Sequence, residues 1–317
     1  MNTKQSSNDK YRFRLSLLHP RHWLTWLGLG FFLIFSLLPM PVLDWLGSRL
    51  GNFAARSNKK RFNIVSTNLS LCFPDKSASE IEEMVKKNFQ AQFRSLMHYC
   101  ILWWRPASLV RKRIHKSGFE KLEQYKQQDK RVIVLLLHNV GLEFAIAGIS
   151  MDYTSVGPYK PIRNPVLNWI IAKGRLRFGS ANGGNVFTRE DGLRPLIRET
   201  RAGKILVYLA DEDLGADRSV FVPFFGVPKA TVPVLGRLAK SCNAVVLPCV
   251  CCYQAKNRRY EVTLLPEIEN LPSGDDERDS LSMNKAIEQA IEKCPVEYLW
   301  SLRYFKTRPP GEVSVYE

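Results

Sequence analysis

Three uninterrupted apolar runs, "VIVLLL" (132–137), "ILVYLA" (205–210) and "AVVLPCVCC" (244–252), are each bounded by polar residues. Runs of that length without alternation predict strands buried on both faces. Residues 165–177, 190–201, 231–242 and 279–293 carry helix-like spacing instead. Strands alternating with helices predict an α/β fold, with a mostly parallel or mixed central sheet flanked by helices. "YEVTLLPEI" (260–268) alternates more regularly and reads as an added antiparallel strand.

Upstream, Ser77 and Glu80 match a capping box, and Ile81, Val85, Phe89, Phe93 and Met97 follow at helical spacing. Arg105-Pro106 should stop that helix, just after Trp103 and Trp104, two rings suited to a membrane interface. The segment from His22 to Leu43 runs 22 residues without a formally charged side chain. That length is enough to cross about 30 Å of hydrocarbon, although Pro39 and Pro41 should bend or end the helix early. It is too long for a signal-peptide core, and no small-x-small site follows it. The expectation is a membrane anchor, spanning or deeply embedded, in residues 1–50, followed by a cytoplasm-facing catalytic domain over 51–317. Both flanks of the anchor are basic, so charge asymmetry gives no orientation.

Charge narrows the partners. The chain holds 46 Lys+Arg against 30 Asp+Glu, a net +16, which favours polyanions: an anionic lipid surface, an acidic carrier protein or nucleic acid. No helix-turn-helix, RRM or zinc-finger spacing supports the last, and nucleic acid is not expected as a partner. The seven cysteines are odd in number and lack paired CxxC spacing, so they read as reduced buried thiols, neither a disulfide framework nor a metal site.

His138 ends the first apolar run, Gly141 permits a turn, and Glu143 opens the next apolar segment, "EFAIAGI". Five positions along one helix would set the two side chains about 140° apart, whereas across a strand-loop-helix junction they can meet. A carboxylate bonded to one imidazole nitrogen fixes the tautomer and frees the other nitrogen to take a proton from an alcohol. The motif holds no serine or cysteine nucleophile, so the alcohol would be the acceptor substrate itself, attacking an acyl thioester directly. A strand-end histidine followed by a helix-start glutamate is the bland alternative.

The whole chain resembles the late acyltransferases of lipid A biosynthesis in Gram-negative bacteria. Their wider superfamily, the lysophospholipid-acyltransferase-like enzymes, is marked by a histidine, four residues, then an acid. His138 and Glu143 match that mark, and "NLSLCFP" (68–74), "GRLRFG" (174–179), "YLADEDLG" (208–215), "VFVPFFGVPKAT" (220–231) and "EYLWSLRYFKTRPPGE" (297–312) resemble family blocks in the same order. The resemblance implies transfer of a fatty acyl chain from acyl carrier protein to a hydroxyacyl chain of a Kdo-bearing lipid A precursor, at the cytoplasmic face of the inner membrane. It makes His138 the general base and Glu143 its orienting partner. It also makes Arg175 a binder of phosphate or substrate, and places Asp211 and Asp213 in the family's acidic block, for substrate bonding or for ordering the site. No cofactor is implied beyond the acyl carrier protein thioester, which is the donor.

Each residue has a plainer reading: Arg175 as a solvated helix arginine, Asp211 and Asp213 as turn caps. "RKRIHK" (111–116) reads as a solvated helix face or a carrier-protein dock, and "RYFKTR" (303–308) beside Tyr298, Trp300 and Tyr304 as a tail or a headgroup contact. A glycerolipid or mannolipid acyltransferase of the same superfamily is the rival within the enzyme class. A membrane-tethered nucleic-acid-binding protein is the distant one.

Overall fold

A computed structural model describes residues 11–179 and 183–316, so the first ten residues of the expected N-terminal segment lie outside it. Nine strands are defined among the described residues: β1 (Ile114–Ser117), β2 (Arg131–Leu136), β3 (Ser155–Tyr159), β4 (Asn185–Thr188), β5 (Ile205–Leu209), β6 (Val220–Phe224), β7 (Val227–Thr231), β8 (Ala244–Gln254) and β9 (Arg259–Leu264). Seven form one sheet in the order β1-β9-β8-β2-β5-β3-β4, and β6 with β7 makes a separate hairpin. All pairings in the large sheet are parallel except β8 with β9, so the sheet is mixed, as expected, with the antiparallel strand where the alternating pattern fell.

The apolar runs are continuous because both faces are covered. From β2 onward, Ile133, Leu135 and Leu137 enter one core with Leu235, Leu238, Met283 and Ile287. Val132, Val134 and Leu136 enter the other with Phe144, Ile149, Met97 and Ile101. Successive side chains thus alternate between two helical layers, as the two-residue period of a strand requires. The helices Pro165–Leu176, Arg194–Arg201, Val234–Cys242 and Asp276–Glu292 fall on the expected stretches, two of them shortened at the start. Thr231, expected to begin the helix at 231–242, instead ends β7. The basic run at 111–116 ends a short helix and forms edge strand β1 rather than a helix face, with Arg111 and Lys116 both paired to Asp152.

The helix Ala78–Trp104 begins with the Ser77–Glu80 capping box and ends at Arg105, as read from the sequence. Helix Met40–Ser57 lies along it; Cβ atoms on Gly47 and Gly51 would collide with the backbone of Arg94 and Gln90, so close approach requires glycine there.

The N-terminal expectation needs correction. Helix Trp23–Ser36 has 14 residues, about 21 Å, and Leu37 to Pro39 break it from helix Met40–Ser57. No helix among the described residues is long and apolar enough to cross a membrane. The stub nonetheless leaves large apolar side chains in the open, including Trp23 (65% exposed), Leu24 (81%), Leu37 (65%) and Phe53 (70%).

Two further corrections concern the C-terminal half. Cys252 and Cys294 are joined as a disulfide, where reduced thiols were expected; β8 and the end of helix Asp276–Glu292 bring them together from 42 positions apart. Cys72, Cys100, Cys242, Cys249 and Cys251 are free and buried. "RYFKTR" reads from the sequence as a tail or a headgroup contact, but its neighbours Tyr298, Trp300 and Tyr304 are fully buried and pack on one another in the core.

Candidate active site

The site forms at the carboxyl ends of β2 and β5, the central parallel pair. Leu136 is the register partner of Leu209. Two residues further on each strand stand His138 and Asp211, so the sheet itself sets them side by side. His138 Nδ1 lies 2.6 Å from Asp211 Oδ1, and the His138 backbone N–H donates to Asp211 Oδ2 at 2.8 Å. The Tyr298 hydroxyl also donates to Oδ2, at 2.9 Å. Asp211 is thus buried with three donors around it.

These contacts define the electrostatics. Burial raises the Asp211 pKa, but the His138 charge, its two hydrogen bonds and Lys229 outweigh burial and hold the carboxyl below its usual range. Burial likewise pulls His138 down, but the Asp211 charge and hydrogen bond, helped by Glu212, leave the imidazole above its ordinary value. With Nδ1–H donated to Asp211, the lone pair falls on Nε2, which points away from the carboxylate.

Glu143 was expected to hold His138, and it does not. No hydrogen bond or ion pair joins them; Glu143 instead receives Arg175, whose Nε lies 3.1 Å and 3.2 Å from its two carboxylate oxygens and whose Nη2 donates to Oε1 as well. The reason is geometric: the chain turns at Gly141, and Glu143 enters helix Leu142–Ser150, which points it to helix Pro165–Leu176. Burial acts to lower the Arg175 pKa, and the Glu143 charge more than reverses this. Arg175 is therefore a part-buried, paired arginine rather than a solvated one. Asp213 accepts from Thr307 N (2.6 Å), Thr307 Oγ1 (2.8 Å) and Gly215 N (3.0 Å), which orders the C-terminal segment over the site.

Four further residues contribute, none of them given a role from the sequence. Tyr298 reaches Asp211 because residues 297–299 run against the histidine loop: Val140 N donates to Glu297 O, and Leu299 N donates to His138 O, both at 2.8 Å. Asn88 Nδ2 clamps the same segment through the Val296 and Tyr298 carbonyls, each at 2.8 Å. Lys229 is fully buried in β7 with no hydrogen-bond partner at Nζ; burial lowers its pKa from 10.5 to about 8, with Asp211 and Asp213 opposing the shift. The fourth, Glu212, stands on the Nε2 side of His138. The "ADED", "PKAT" and "EYLW" stretches carry Glu212, Lys229 and Tyr298, but as a signal of family, not of contact.

A small, mainly apolar cavity of about 50 Å³ is lined by Ile146, Val156, Pro158, Leu176, Val207 and Leu209, with Arg175 at its wall; His138 and Asp211 do not line it. Leu209 ties it to the same sheet end as His138.

The structure thus sets a histidine against a buried carboxylate at the carboxyl end of an α/β sheet. The family model for bacterial lipid A biosynthesis acyltransferases matches residues 10–307, and the chain belongs to that family. It is accordingly an enzyme that transfers acyl groups in lipid A biosynthesis. Among its relatives, the lipid A biosynthesis lauroyltransferase of Escherichia coli (strain K12) is 35% identical, over 96% of this chain and 98% of its own length. The palmitoleoyltransferase of the same organism is also 35% identical, with the same coverage. Its myristoyltransferase is 33% identical over 100% of this chain and 98% of its own length.

Proposed function

We propose that this protein is a membrane-embedded O-acyltransferase that moves a fatty acyl chain from acyl carrier protein to a hydroxyl on a hydroxyacyl chain of a lipid A precursor. The observation that carries this reading is the His138–Asp211 pair, in which Asp211 holds Nδ1 and leaves Nε2 to meet an acceptor hydroxyl. Nε2 takes the proton of the acceptor hydroxyl as its oxygen attacks the thioester carbonyl. The tetrahedral intermediate then collapses, the C–S bond breaks, and the imidazolium returns its proton to the leaving thiolate. Asp211 steadies the imidazolium without taking the proton.

In this scheme Glu143 is not the orienting partner of the base. It fixes Arg175, whose remaining Nη1 donors face the developing negative charge or a substrate phosphate. The apolar wall of the cavity is the proposed seat of the donor acyl chain, since burying methylenes against it contributes about 0.8 kcal/mol for each CH₂.

The exposed apolar side chains of the N-terminal stub support membrane embedding without a span. Embedding of this kind suits a multi-chain acceptor that would cost much to extract into water, and the net +16 draws the anionic surface and an acidic donor protein. The reading is tested with purified protein, a panel of acyl carrier protein thioesters, a detergent-dispersed lipid A precursor and mass spectrometry. A mass gain of one acyl chain, lost in His138→Ala, is the expected result; no acyl gain from any donor sinks it.

A further inference from the structure

Nε2 of His138 does not face open solvent alone. Glu212, the residue after Asp211, brings Oε1 to 3.6 Å from Nε2, while Asp211 holds Nδ1 at 2.6 Å. The imidazole is bracketed by two carboxylates of different character: Asp211 is buried and immobilised by three donors, whereas the Glu212 side chain is 40% exposed and forms no other ion pair.

We infer that Glu212 is a positioning residue on the substrate side of the base, which pairs with the imidazolium of His138 and yields its place at Nε2 to the acceptor hydroxyl. A carboxylate facing Nε2 favours a proton there, and a proton there blocks base catalysis. An acceptor hydroxyl delivered to Nε2 shares that space with Oε1, so Glu212 must turn outward for transfer to begin. Its exposure leaves it free to do so. Once the hydroxyl proton has moved to Nε2, the returning carboxylate stabilises the cation until the thiolate reclaims the proton.

Other charges reach the imidazole from every side. Arg175, from helix Pro165–Leu176, opposes protonation; Lys229, from β7, acts behind Asp211; Tyr298 and Tyr304, from the C-terminal segment, act on the two carboxylates. Of these groups, Glu212 is the one that combines proximity to Nε2 with exposure.

The inference rests on His138 acting as the base of acyl transfer, and two readouts separate the claims. In full-length protein labelled at histidine, NMR titration follows His138, assigned by its loss in His138→Ala. Glu212→Gln should lower the proton affinity of the imidazole about three- to tenfold, a shift of about half a unit to one unit, and Glu212→Asp should restore part of it. The acid limb of kcat/KM for acyl transfer should move down by the same interval, with little change in acceptor KM. A merely structural role would scale the rate equally at all pH values. An identical His138 titration in the wild type and in both Glu212→Gln and Glu212→Ala overturns the inference. A shifted titration in a protein that transfers no acyl group would leave the Glu212 pairing standing and remove the acyl-transfer reading instead.

Discussion

His138 and Asp211 are neighbours because Leu136 and Leu209 are register partners in adjacent parallel strands. The pairing is therefore a property of the sheet, not of the local motif. A strand shifted by one position would turn one of the two side chains to the opposite face.

Asp211→Asn should lower kcat by about a hundred- to ten-thousand-fold, because an amide no longer fixes the tautomer or balances the imidazolium. Steady-state kinetics with a fixed acyl carrier protein donor reads this directly. A loss of less than about threefold would assign the role elsewhere.

Glu143→Gln should behave differently. It removes the partner of a part-buried arginine, so the fold should lose about 3 kcal/mol, seen as a lower denaturation midpoint. Activity should fall mainly through a displaced Arg175, and Arg175→Gln in the Glu143→Gln background should recover part of the stability. If Glu143→Gln unfolds at the wild-type midpoint, the pair is not holding the two helices together.

These two residues show how far the sequence could be read. The strands, most helices, the capping box and the place of His138 follow from apolar periodicity and turn residues, which are local. Asp211 lies 73 positions from His138 and meets it only through strand register, which no spacing rule reports. The family resemblance names Glu143 as its partner, at a spacing that lets the two meet; the turn at Gly141 sends it elsewhere. The same limit applies to the Cys252–Cys294 pair and to Tyr298, both set by how the C-terminal segment folds back. The broken N-terminal helix was half legible, since Pro39 and Pro41 mark the break but not the length that survives it.

Lys229 offers a pH-dependent test. Its pKa is about 8 in the fold against 10.5 for the unperturbed group, so between those values the unfolded chain binds more proton than the folded one. Stability should therefore rise with pH across that window, by about 3 kcal/mol in total. Lys229→Met should abolish the rise and be more stable than wild type at pH 7, yet less active, since Asp211 loses a neighbouring cation. Chemical denaturation at pH 7 and pH 10 checks the sign. A flat profile in the wild type would refute the assignment.

The cavity wall predicts donor preference. Ile146→Phe adds bulk to the space beside Arg175, and it should shift the favoured acyl donor shorter by about two carbons with little effect on His138. Competition between donors of different length, resolved by mass spectrometry, measures the shift. An unchanged product distribution would place the acyl chain outside this cavity.

The exposed face of the N-terminal stub predicts membrane binding that survives salt. Wild-type protein should float with anionic vesicles even at high ionic strength, and a Leu24→Glu, Phe31→Glu double variant should not. Flotation of the variant to the same extent would show that charge alone provides the attachment.

The strap of residues 297–299 has a consequence for how the histidine loop can move. It supplies Tyr298 to Asp211 and pairs its backbone with residues 138–140, so one distant stretch of chain braces both the imidazole and the carboxylate. Local opening of that stretch would free the two side chains together rather than one at a time. Their pairing is therefore kept or lost as a unit.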